Sequence, residues 1–139
     1  MNSTRSKAGL FMIELIVVTA VFSISAAVCL RIFFLSHQLT VESRNLSHAS
    51  IEVQSAADCY KAAGGDILAT ADLLGAQLDP NGALLMHYDD LWKRVYESEA
   101  ASFSVSVREA EQGYSVVTAE KAGGAAIFSV NVRGDIKLG

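Results

Sequence analysis

Gly9-Leu10-Phe11-Met12-Ile13-Glu14-Leu15 opens an apolar run that meets no second charge until Arg31. From Leu10 to Leu30 the run holds 21 residues, and a helix needs about 20 to cross a hydrocarbon core. Glu14 is the one ionisable side chain inside it. A charged side chain at the bilayer centre costs about 2.5–3.5 kcal/mol on insertion scales, so an intramembrane carboxylate is a functional candidate whose partner has to be sought.

The rest of the chain is bounded by its composition. It has 139 residues, 51% hydrophobic and 19% charged, with a net charge of −4. Setting aside residues 10–35 leaves about a hundred, enough for one modest core. Arg5 and Lys7 precede the apolar run, so the chain from Leu10 onward carries −6. That acidity argues against a nucleic-acid partner, which needs a basic stripe. Cys29 and Cys59 are thirty residues apart. On one continuous helix this places them roughly 45 Å apart, far beyond the reach of about 7 Å that a disulfide allows.

Residues 1–9 are short, polar and basic. A secretory signal peptide also begins with a positive segment and an apolar core, but its core is about 7–15 residues long and a small-residue cleavage site follows it. Here the run is longer, and the nearest approach to such a site, Ser23-Ile-Ser-Ala-Ala27, lies in mid-run. The reading is a retained single-pass anchor. Arg5 and Lys7 put its N-terminus in the cytoplasm, with Arg31 weakly opposing, and the bulk of the chain then lies outside.

The stretch from Gly9 to Leu15 resembles the prepilin signature of type IV pilins and type II secretion pseudopilins. In that family a short basic leader ends in Gly, a bulky apolar residue follows, and Glu stands fifth in the mature chain ahead of a membrane helix. Arg5 and Lys7, Gly9, Leu10 and Glu14 supply these elements in order. Phe is the commonest first mature residue, and Leu10 departs from it. The resemblance implies removal of a leader (1–9) by a prepilin peptidase/methyltransferase at the cytoplasmic face, with the cut between Gly9 and Leu10, and N-methylation of Leu10. Cutting there creates an ammonium at Leu10 within reach of a neighbouring subunit's Glu14. A buried charge is tolerated when paired, and removing one partner costs several kcal/mol. Snorkelling of Glu14 to the interface is the plainer alternative.

Past Arg31 the pattern becomes amphipathic. Leu39, Leu46, Val53 and Tyr60 recur every seven residues, Ala49, Ala56 and Ala63 form the adjoining line, and Glu42, Arg44, Glu52 and Asp58 take other faces. No Gly or Pro occurs from Leu10 to Ala63, so one helix is expected, stopped by Gly64-Gly65. A heptad stripe also suits a coiled coil, but alanines suit close packing on a sheet better. Residues 66–79 read as a connecting segment with a short helix, and Pro80-Asn81-Gly82 as a turn. Ala83–Tyr88 and Trp92–Tyr96 are expected to pair around Asp89-Asp90. Alternation over 101–108 sets Ala101, Phe103, Val105 and Val107 against Ser102, Ser104, Ser106 and Arg108. A turn at Gln112-Gly113 leads to a strand at 114–120. A turn at Gly123-Gly124 leads to Ala126, Phe128, Val130 and Val132 alternating with Ile127, Ser129, Asn131 and Arg133. One buried face and one wet face make an antiparallel sheet covered on one side.

The expected fold is therefore α+β and pilin-like, a long N-terminal helix packed on a small antiparallel β-sheet. Its parts are a leader at 1–9, a transmembrane and assembly helix at 10–35 and a head at 36–139. The head divides into helix 36–63, connecting segment 64–82 and sheet 83–133. Many family members carry Gly or Pro in the first half of this helix, and this chain has neither there. The expected function is a structural subunit, leaning to a minor pilin or pseudopilin, of a type IV pilus, DNA-uptake or type II secretion filament. Its expected partners are the peptidase, other pilin or pseudopilin subunits, the inner-membrane assembly platform and the cytoplasmic membrane. A membrane-anchored binding domain that does not polymerise is the alternative. No catalytic constellation is found and no cofactor or metal is expected. His37, His48 and His87 lack ligand spacing. Asp79, Asn81, Asp89 and Asp90 fit turn chemistry rather than an EF-hand loop, although some pseudopilins bind calcium. Cys59 reads as a small helix residue.

Overall fold

Without glycine or proline after Gly9, nothing in the sequence interrupts helical backbone hydrogen bonding until Gly64. The computed structural model describes residues 2–110 and 113–134, with side chains from Lys7 onward. Helix α1 spans Asn2–Ala62. It begins ahead of Gly9, so the expected cleavage point lies inside a helix rather than at its start. Its C-terminus closes as the glycines require. The Gly65 N–H donates to the Tyr60 carbonyl at 3.0 Å and the Gly64 N–H to that of Lys61 at 2.9 Å. Gly64 takes φ 67°, the left-handed residue of a Schellman cap.

Contacts divide the chain into two units, Met1–Ser43 and Arg44–Gly139. The described residues of the first are all helix, and its side chains from Lys7 onward are exposed throughout. The second holds the remaining α1 residues and everything after them.

In the second unit α2 (Ile67–Leu74) follows the glycine stop. Asp66 caps it by accepting from the Leu68 N–H at 2.9 Å, and Gly75 ends it at φ 57°. The sheet comprises β1 (Gln77–Leu78), β2 (Leu84–Tyr88), β3 (Arg94–Val95), β4 (Phe103–Glu109), β5 (Tyr114–Lys121) and β6 (Ala125–Arg133). A 3₁₀ turn at Ser98–Ala100 precedes β4. The order is β1-β2-β4-β5-β6, with β3 also paired to β2, and every pairing is antiparallel. The protein is thus α+β, a long N-terminal helix packed on a small antiparallel sheet. Of the expected Gln112-Gly113 turn, Gln112 lies outside the described residues.

Register explains the core. Leu84, Val107, Val117 and Val130 lie in one cross-strand row, and Met86, Val105, Ala119 and Phe128 in the next. Against these rows α1 sets Ala49, Val53, Ala56, Ala57 and Tyr60, all buried. The alanines bring the helix close, which is the sheet packing expected of them.

Five details differ from the sequence pattern. The sheet begins inside the expected connecting segment 64–82 rather than at 83, because Gln77 and Leu78 pair with Leu85 and Leu84. Leu46 and Leu39 are 45% and 57% exposed, because the buried stripe begins only at Ala49. Ala126 is exposed. The register moves from Ala119↔Phe128 to Glu120↔Ala126, which leaves Ile127 as the extra residue of a bulge and turns Ala126 to the other face. Ser106, expected to be wet, is buried, hemmed in by Leu85 and Thr118 as cross-strand neighbours. Trp92 belongs to no strand. It sits in the β2–β3 connection at φ 60°, a strained conformation for a bulky residue.

Candidate functional site

The residues singled out by the sequence lie on α1. Gly9 has helical backbone, and a Cβ built on it meets nothing within 4 Å. The fold therefore does not demand glycine there, and in a helix glycine costs about 1 kcal/mol relative to alanine. Leu10 is 64% exposed, and Phe11, Met12 and Ile13 beside it are 61–65% exposed. Glu14 lies one helical turn beyond Leu10, exposed, with no hydrogen bond or ion pair among the described residues.

The other polar groups of the run are already satisfied. The Thr19 hydroxyl donates to the Ile16 carbonyl at 2.9 Å and the Leu15 carbonyl at 3.0 Å. Ser23 donates to the Thr19 carbonyl at 2.8 Å, and Ser25 to that of Val21 at 2.9 Å. Back-bonding of this kind lets hydroxyls sit in an apolar helix. It leaves the Glu14 carboxylate as the one strongly polar side chain between Leu10 and Leu30 without a partner among the described residues. The helix containing it is long and apolar enough to cross a membrane, and the apolar window is wholly exposed.

A second cluster, missed in the sequence, ties the sheet to α1. The Tyr88 hydroxyl donates to Glu52 Oε2 at 2.8 Å. Burial, and then the hydrogen bond and negative charge of Glu52, push the Tyr88 phenol well above the usual tyrosine range, with Arg94 opposing. The Trp92 indole stacks on Phe103 at 4.4 Å and on His48 at 6.0 Å between centroids. Its Nε1 donates to Asn45 Oδ1 at 3.3 Å. Asn45, His48 and Glu52 follow i, i+3, i+7 spacing, which marks one helix face. That spacing was the available clue.

The remaining candidates stay apart. Asp79 accepts from Asn81 Nδ2 at 3.1 Å within the β1–β2 turn. Asp89 Oδ1 accepts from the N–H groups of Leu91 and Lys93 in the β2–β3 turn, at the other end of β2. Among the described residues no group of three or more His, Cys, Asp or Glu is placed to hold a metal ion. A cavity of about 220 Å³ opens beside Leu78, Asp79, His87, Arg94 and Tyr96. Arg94 is committed there to the carbonyls of Leu74 and Gly75 at the end of α2, where a cation complements the helix dipole. No nucleophile–base pair lines it.

No family model, curated protein or solved structure matches the chain. The functional reading rests on the residues and geometry above.

Proposed function

We propose that the chain is a prepilin-like structural subunit, a minor pilin or pseudopilin of a type IV pilus, DNA-uptake or type II secretion filament. It is inserted in the cytoplasmic membrane with its N-terminus inside and its head outside. A prepilin peptidase/methyltransferase cuts between Gly9 and Leu10 and methylates the new amine. Subunits then associate through residues 10–35, with help from the inner-membrane assembly platform. The Glu14 carboxylate of one subunit pairs with the Leu10 amine of another.

One observation carries this reading. A carboxylate without a partner among the described residues stands one turn beyond the Gly9–Leu10 bond, in an apolar run, Leu10 to Leu30, whose hydroxyl groups are internally satisfied and whose surface is exposed. Such a surface has to be covered by lipid or by like helices. A carboxylate on it is costly when alone, and a cation from a neighbouring subunit offsets that cost. Identical head-to-tail contacts between helices give an open fibre when their rotation does not close a ring.

The test is substitution of Glu14. Glu14→Ala should insert and fold normally yet fail to enter filaments when co-expressed with the assembly machinery. Glu14→Asp, which keeps the charge, should retain partial incorporation. Full incorporation of Glu14→Ala would remove the pairing from the mechanism.

A further inference from the structure

We propose that Arg31 is the outer-leaflet anchor of the processed chain, its guanidinium held by lipid phosphates, and that it sets the depth at which Glu14 lies in the membrane. The proposal rests on the membrane-anchored reading given above.

Removal of residues 1–9 takes away Arg5 and Lys7, and Arg31 is then the first Lys or Arg, with no other until Arg44. A guanidinium keeps its charge at any physiological pH and requires anionic or carbonyl partners. Arg31 is exposed and has no hydrogen bond or ion pair among the described residues. The acids flanking it on α1 are Glu14 and Glu42. They stand about 25 and 16 Å away along the helix axis, beyond reach of the side chain.

Depth follows from length. The 21 residues from Leu10 to Leu30 rise about 31 Å, which matches a hydrocarbon core of about 30 Å. Arg31 therefore falls at the level where its stem lies along the acyl chains and its head meets the phosphates. Apolar length alone does not fix this level. Ile32, Phe33, Phe34 and Leu35 continue the run, 56–76% exposed. The apolar surface from Leu10 to Leu35 rises about 39 Å, more than the core accommodates without tilt. The charge at position 31 decides which part of that surface lies in the membrane.

Cys29 gives a reporter two residues away. In the chain beginning at Leu10, without Arg5 and Lys7 and carrying Cys59→Ser, an environment-sensitive fluorophore is attached at Cys29. The protein is reconstituted in phosphatidylethanolamine–phosphatidylglycerol vesicles brominated at shallow or deep acyl positions. With Arg31, or with Arg31→Lys, shallow bromines should quench the label more than deep ones. With Arg31→Leu the preference should invert, corresponding to a shift inward of about 4 Å or more, roughly half the rise of residues 31–35. An unchanged quenching ratio in inserted Arg31→Leu would overturn the proposal. A parent chain that fails to float with the vesicles, its label quenched by neither lipid, would overturn the membrane reading itself and this proposal with it.

Discussion

At the scale of single residues, Tyr88 and Ser115 show what burial does to a hydroxyl with and without a partner. The Tyr88 phenol donates to Glu52, and burial together with that carboxylate raises its pKa. The folded value lies above the unfolded value of about 10, so the phenol's contribution is whole below that pH and is lost as pH rises towards the folded value. Alkaline unfolding should therefore steepen above about pH 10, and Tyr88→Phe should flatten that limb while costing about 1 kcal/mol at neutral pH. Phenolate absorbance and urea unfolding across the alkaline range measure both. Ser115 is fully buried on the inner face of β5, and its Oγ has no partner among the described residues. A buried hydroxyl without a hydrogen bond is a net cost. Ser115→Ala should raise stability by about 1 kcal/mol in urea unfolding, and a loss of that size would show that the hydroxyl is satisfied after all. Glu14 belongs to the same class of residue, a polar group on an apolar surface, but its partner is sought on another molecule.

Among the elements, α1 was the most legible in the sequence and the β2–β3 connection the least. The absence of helix breakers from Leu10 to Ala63, with the glycine pair after them, fixes α1 and its stop by local chemistry alone. The long strands were equally plain, because Phe103, Val105 and Val107 alternate with small polar residues. Two things escaped. A bulge is a matter of register between strands, so nothing in β6 by itself announces that Ile127 is the extra residue. Trp92 reads as a strand residue by type, yet its position is decided by Asn45, His48 and Phe103, which come from elsewhere in the chain. For the candidate site, Gly9, Leu10 and Glu14 were legible as a local pattern, whereas the satisfaction of Thr19, Ser23 and Ser25 needed coordinates.

The alanine line of α1 makes this element-scale account testable. Ala56 is fully buried against the sheet, and Ala56→Leu should overpack the interface and cost about 1–3 kcal/mol. Leu46→Ala, on the same helix but largely exposed, should cost less than about 1 kcal/mol. A coiled-coil role for the heptad stripe predicts the reverse order, so thermal unfolding of the two variants separates the readings.

For the whole molecule, the division of labour follows from where apolar surface is covered. Residues 44–139 contain the buried core, in which the sheet covers α1 from Ala49 onward. Residues 7–43 bury nothing, and their surface is complete only in lipid or among other helices. The event that would license assembly is the appearance of an amine at Leu10, opposite in charge to Glu14 and one helical turn from it. The intact mass of the protein recovered from membranes, with and without a co-expressed prepilin peptidase, tests this most directly. Loss of residues 1–9 only when the peptidase is present, with one added methyl group on Leu10, is the expected result. An unchanged mass beside an active peptidase would contradict it and leave a tethered domain in place of a filament subunit.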